Sequence, residues 1–224
     1  MISLCIFDLD GTLSNTLRSL HYFCNTALTQ CGFPPVDDIH KIQYMVGSGV
    51  HVLLQRLLTE SLGSYTEEQY QQLLSIYNAL YASDPLHLVT EYKGVRPMLQ
   101  TLSESGVSLA VFSNKPDAMT KRVVSALYPE IPFDVCRGQI DGFPKKPAPD
   151  GIYAILKETG CPREQCLYIG DSDVDMRTGQ NAQVETIGVT WGFRTSMELI
   201  HAGAKILMDQ PEELSAFVQM RNRS

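Results

Sequence analysis

Apolar positions along the chain follow two different periods. Residues 3–7 (SLCIF) make a short, β-rich apolar run that stops at an acid and a glycine, and similar runs stand at 108–112 (SLAVF), 166–169 (CLYI) and 184–189 (VETIGV). Runs of this length, bounded by small or polar residues, predict buried strands. Between them, residues 95–104, 117–127, 150–157 and 175–180 space their apolar side chains three and four apart, as helices do. Strands alternating with helices predict an α/β fold with a parallel sheet covered on both faces, and ligands of such sheets sit beyond the carboxyl ends of the strands.

From residue 15 to residue 84 the pattern changes, because no strand-like run interrupts the helical spacing. Val50, Leu53, Leu54, Leu57 and Leu58 form one apolar stripe, and Tyr70, Leu73, Leu74, Tyr77 and Tyr81 form another. Stripes of this kind are core-packing faces before they are anything else. Thr66, followed by Glu67, Glu68 and Gln69, carries the chemistry of a capped helix start. The expected organisation is therefore a core built from residues 1–14 and 85–224, with a helical domain at 15–84 inserted after the first strand. Gly47-Ser48-Gly49 opens a helix of that insert; it reads first as a flexible turn, and its amides also suit a substrate carboxylate.

Composition adds limits. A chain of 224 residues with 44% hydrophobic and 19% charged residues can bury a substantial core. Its formal net charge of −7 disfavours nucleic acid and anionic membrane as partners, so any anionic ligand must be held by a local arrangement. No segment approaches the ~20 apolar residues of a membrane span, and the N-terminus lacks the basic start of a signal peptide. Cys5, Cys24, Cys31, Cys136, Cys161 and Cys166 show neither a C-x-x-C pair nor zinc spacing, which predicts reduced, mostly buried thiols and a cytoplasmic protein. The Asn222-Arg223-Ser224 sequon carries no weight without a secretory context.

Four elements carry candidate chemistry. Asp8-Leu9-Asp10-Gly11-Thr12 follows the first strand, and acids at i and i+2 of an extended chain share one side. Gly170-Asp171-Ser172-Asp173-Val174-Asp175 follows another strand, and its acids repel one another unless a cation lies among them; Mg2+ with oxygen ligands suits such a set. Ser113-Asn114-Lys115 ends the SLAVF strand with a hydroxyl and amides suited to phosphate oxygens. Lys145-Lys146-Pro147-Ala148-Pro149 presents lysines on a proline-stiffened loop before a helix. Each element alone has an ordinary explanation: a helix cap, a turn, a solvated lysine. Together, all at strand ends, they supply a nucleophile, a metal site and phosphate contacts.

In this order the motifs resemble the haloacid dehalogenase superfamily, in its phosphatase branch with a helical cap. The likeness spans essentially the whole chain, and Gly188-Val189-Thr190-Trp191-Gly192 and the stretch from Gly203 to Leu214 also resemble phosphoglycolate phosphatases. Asn15 departs from the pattern, since many relatives carry an acid there. The resemblance implies a Rossmann-like core with an inserted α-helical cap that closes over the site. It implies Asp8 as nucleophile, Asp10 as general acid and base, and Ser113, Asn114 and Lys146 as phosphate contacts. It implies Mg2+ on the Asp8 carboxylate, the Asp10 carbonyl and Asp171, with Asp175 in support. The expected substrate is a small phosphorylated metabolite, with phosphoglycolate the leading candidate, and the expected state is monomer or homodimer. A phosphomutase with the same intermediate, or a silent binding protein of the same fold, stays open; a dehalogenase does not need Asp10 or the metal.

Overall fold

A computed structural model describes residues 1–223 of the chain; Ser224, the last residue of the sequon, lies outside them. In chain order, β1 (Leu4–Phe7) and β2 (Ser14–Asn15) precede four helices, α1 (Leu17–Gln30), α2 (Ile39–Met45), α3 (Val50–Leu62) and α4 (Glu67–Ser83). Then come β3 (Thr90–Glu91), α5 (Val95–Glu104), β4 (Ser108–Pro116), α6 (Asp117–Leu127), β5 (Phe133–Gln139) and α7 (Asp150–Thr159). The chain ends with β6 (Cys166–Gly170), α8 (Asp173–Ala182), β7 (Glu185–Val189), α9 (Ser196–His201), β8 (Ile206–Met208) and α10 (Pro211–Arg223). Two compact units result, one from Met1–Asn15 with Thr90–Ser224 and one from Thr16–Val89.

In the first unit, six strands form one sheet in the order β5-β4-β1-β6-β7-β8, and every pairing is parallel. The expected α/β class is what forms. β1, β4 and β6 are central and buried almost throughout, which is why they read as unbroken apolar runs. Pleating sends alternate residues to opposite faces. Leu4, Ile6, Ala110, Phe112, Cys166 and Tyr168 share one of them with Ile152 and Ile155 of α7 and Ala182 of α8. The spacing did not reveal β5 or β8. Both lie at the sheet edges, and β5 (FDVCRGQ) mixes charged and apolar residues because only part of it is buried. All six cysteines are free thiols.

A small antiparallel pair, Ser14 opposite Glu91 and Asn15 opposite Thr90, joins the two places where the chain leaves and rejoins this unit. Asn222 ties the far end down: its side-chain amide accepts from the Ile2 N–H at 2.5 Å and donates to the Ile2 carbonyl at 2.8 Å.

The second unit is wholly helical. Leu53, Leu54, Leu57 and Leu58 of α3 are buried, as are Tyr70, Leu73, Tyr77 and Tyr81 of α4, so the two stripes are packing faces. Thr66 accepts from the Gln69 N–H and Gln69 reciprocates, a complete capping box. Gly49 caps α3 with a φ of 88°, a conformation that a side chain would strain. Among the described residues no helix is long and apolar enough to cross a membrane.

Candidate active site

Asp8 and Asp171 stand just beyond the carboxyl ends of β1 and β6, and Ser113 lies in the carboxyl-terminal half of β4, on the other side of β1 in the sheet. Asp8 follows β1 directly, and its N–H donates to the Ile169 carbonyl at 2.9 Å, so the backbone stays in sheet register up to the acid. Asp171 follows β6. α8 begins two residues earlier than the spacing suggested, because Ser172 caps it. The Ser172 Oγ accepts from the Asp175 N–H, and the Asp175 carboxylate accepts from the Ser172 N–H at 3.1 Å. That box turns Asp175 back toward the strand ends. Asp8, Asp171 and Asp175 each offer a carboxylate oxygen, and these oxygens all lie within 4.8 Å of one another, every residue buried.

Lys146 enters this cluster from the loop before α7. Its Nζ donates to Asp8 Oδ1 at 2.7 Å and to Asp175 Oδ1 at 2.8 Å, with the Tyr168 hydroxyl at 3.2 Å and the Phe112 carbonyl at 3.3 Å. Asp175 is bound on both oxygens: Oδ1 also accepts from the Tyr168 hydroxyl at 2.6 Å, and Oδ2 from the Ser172 Oγ at 2.5 Å. Its chemistry is spent on holding Lys146. Asp171 accepts from the Thr12 Oγ1 at 3.1 Å and from the Phe193 N–H at 2.7 Å. A side chain at Gly11 would meet the Asp171 carboxylate at 2.2 Å, and Gly11 adopts a φ of 97°; glycine is required twice over. Asp10 turns its carboxylate to Lys115, whose Nζ lies 2.9 Å from both oxygens.

The Asn114 Oδ1 accepts from the Lys146 N–H at 2.9 Å and its Nδ2 donates to the Lys146 carbonyl at 3.1 Å. A buried lysine needs its own backbone polar groups paired, and Asn114 pairs them. Asn114 therefore bears on the site through Lys146. Ser113 is buried, and its Oγ accepts from the Lys115 N–H at 3.2 Å. Tyr168, Lys115, Thr12 and Ser172 were not singled out as site residues. Tyr168 looked like one more apolar strand position, and its ring does pack in the core while its hydroxyl reaches the carboxylates.

The electrostatics follow from burial. Desolvation lifts the Asp8 carboxyl to about 7 against the opposing charge of Lys146, with Asp175 and Asp10 adding to the rise. Desolvation, then the charges of Asp175 and Asp8, push Asp171 well above the carboxylate range. Burial would raise Asp175 too, but Lys146, Ser172 and Tyr168 outweigh it and hold that carboxyl low. Burial would lower Lys146, yet Asp175 and Asp8 carry it above its ordinary value. Tyr92 is raised first by burial and then by the charges of Asp171 and Asp10, which places its phenol within their field.

Three buried carboxylates lie together with one ammonium, which is bonded to two of them, and this leaves an uncompensated negative charge of two when all are ionised. A hard divalent cation with oxygen ligands fits that donor set. Asp8, Asp171 and Asp175 are the carboxylates that could hold it, with Asp175 the most heavily engaged by other donors.

This imbalance has a measurable sign. A carboxyl raised in the fold, as Asp8 is from 3.8 to about 7, binds more protons folded than unfolded in that interval, so stability falls as pH rises through it. Asp171, raised well above its ordinary value, acts in the same direction as Asp8, whereas the depressed Asp175 acts below the window and the raised Lys146 far above it. In chelator, the melting temperature should be higher at pH 5 than at pH 7.5, with Mg2+ closing the gap and Asp8→Asn narrowing it. A gap of opposite sign in the unsubstituted protein would show that Asp8 is not lifted.

A family model for haloacid dehalogenase-like hydrolases matches residues 5–189. The chain belongs to the haloacid dehalogenase-like hydrolases. Phosphoglycolate phosphatase of Pseudomonas savastanoi pv. phaseolicola is 30% identical over 217 residues, covering 94% of this chain and 78% of its own. The enzyme of that name from Mannheimia succiniciproducens is 31% identical over 197 residues, covering 86% and 88%. A crystal structure from Lactobacillus delbrueckii subsp. bulgaricus superposes with a TM-score of 0.89 at 32% identity, covering 95% of this chain and 96% of that one. With phosphatases of this family aligned along nearly all of it, the chain is a phosphoric monoester hydrolase.

Proposed function

We propose that this haloacid dehalogenase-like hydrolase cleaves a small phosphate monoester with Mg2+ as cofactor, through a phosphoryl group carried on Asp8, and that 2-phosphoglycolate is the leading substrate candidate. The observation that carries the reading is the placement of Asp8: a buried carboxylate at a strand end, bound to Lys146 at 2.7 Å and within 4.8 Å of Asp171. In this reading an Asp8 oxygen attacks phosphorus as the ester P–O bond breaks, and Asp10 gives its proton to the departing oxygen. Asp10, then ionised, takes a proton from the water that attacks the aspartyl phosphate, which returns Asp8 and releases phosphate. Ser113 and Lys146 hold phosphoryl oxygens as charge moves onto them. When bound, the divalent cation offsets the repulsion between an anionic nucleophile and an anionic phosphate. The substrate candidate comes from the relatives named phosphoglycolate phosphatase.

Purified protein should release inorganic phosphate from 2-phosphoglycolate faster than from other members of a metabolite panel, and only with Mg2+ restored after chelation. Isomerisation of a sugar phosphate with little free phosphate would replace hydrolysis by a mutase reaction. Equal turnover in chelator would remove the cofactor from the reading.

A further inference from the structure

The mechanism above leaves a second buried ion pair without a role. Lys115, at the end of β4, reaches Asp10 with its Nζ 2.9 Å from each carboxylate oxygen; the two side chains are only 4% and 14% exposed. Both ends are held by their backbones. The Lys115 N–H donates to the Ser113 Oγ at 3.2 Å, its carbonyl accepts from the Thr120 Oγ1 at 3.1 Å, and a side chain on Gly138 would come within 2.6 Å of that carbonyl. Asp10 lies in the tight loop closed by the Gly11 N–H to the Ser14 carbonyl at 2.9 Å. Burying a long, rotamer-rich side chain costs entropy and hydration. Charge pairing alone could offset that cost, so the question is whether the pair also aims the acid.

We propose that Lys115 is the positioning residue for Asp10, fixing the direction of its carboxyl so that, when one oxygen carries the proton and the other keeps the ammonium, that proton reaches the leaving oxygen in one orientation. The inference rests on the reading of Asp10 as the general acid. It gives the lysine a distinct signature. An ester whose alcohol leaves poorly needs the proton as the P–O bond breaks, whereas a 2,4-dinitrophenolate departs without one. A misaimed acid therefore slows the first kind of ester and spares the second, while a merely loosened fold slows both.

The test is kcat/KM for the unsubstituted enzyme, Lys115→Met, Lys115→Arg and Asp10→Asn on 2,4-dinitrophenyl, 4-nitrophenyl, phenyl and alkyl phosphates. Lys115→Met should lose roughly a hundredfold on phenyl and alkyl esters and no more than about threefold on the dinitrophenyl ester, with Lys115→Arg restoring most of the loss. Asp10→Asn should show the same dependence more steeply. A loss in Lys115→Met that is equal on every ester, beside a leaving-group-dependent loss in Asp10→Asn, would leave the lysine a structural counter-ion and overturn the proposal alone. A flat loss in Asp10→Asn would overturn the acid assignment and the positioning role with it. Should Lys115→Met fail to fold, Lys115→Gln takes its place: a loss that grows with leaving-group basicity supports the role, and a flat one ends it.

Discussion

Asp8→Asn should lower kcat by at least ~10⁴-fold, the scale on which loss of a nucleophile is felt, with no phosphoryl group trapped on the protein in rapid-quench experiments. The amide has the same shape as the carboxylate but is a poor nucleophile, so the substitution removes chemistry with little change in packing. Lys146 keeps Asp175 and the Tyr168 hydroxyl as partners. The substitution also takes one charge out of an overcrowded acidic cluster, so the melting temperature in chelator at pH 7.5 should hold or rise. Folding and catalysis would then move in opposite directions, which separates a lost nucleophile from a damaged fold. Turnover within tenfold of the unsubstituted enzyme would remove Asp8 from the chemistry.

Lys146→Met should lower both stability and activity. The lysine binds Asp8 and Asp175 together, and Asp171 stands in the same cluster. Deleting one partner of a buried ion pair costs about 3–5 kcal/mol, which corresponds to a fall of roughly 10 °C in melting temperature for a chain of this size. The orphaned carboxyls recover part of that by taking up protons, so the deficit should be larger at pH 7.5 than at pH 5. Activity should fall about 10³-fold, the upper range for one preorganised donor at a site of developing charge. Calorimetry at the two pH values checks the first claim and steady-state kinetics the second. A variant as stable as its parent in chelator would mean that the three acids do not depend on this ammonium.

What could be read from the residues alone was decided by how local the signal was. Asp8 and Asp171 were legible because each terminates an apolar run, and a charged residue at the mouth of a buried strand is conspicuous. Lys146 drew attention through the prolines beside it. Tyr168 was hidden because its ring satisfies the strand pattern and only its hydroxyl does polar work; nothing along the chain marks which face an oxygen reaches. Lys115 stood inside a quoted motif but looked like an ordinary lysine, since its partner is 105 residues away in sequence. Asn114 is legible only as the neighbour of Ser113; that its side chain also serves the backbone of Lys146 depends on a contact 32 residues away in sequence. Edge strands such as β5 escaped because half-solvated strands do not need unbroken apolar runs.

The short ladder in which Asn15 faces Thr90 carries an evolutionary consequence. Departure and return lie side by side, so everything spelled out between those positions is an excursion that begins and finishes at one spot. Lengthening, trimming or exchanging that excursion alters the entropy of closing it only logarithmically and leaves the sheet register untouched. A lineage can therefore rewrite this parenthesis while the reactive carboxylates stay under unchanged selection.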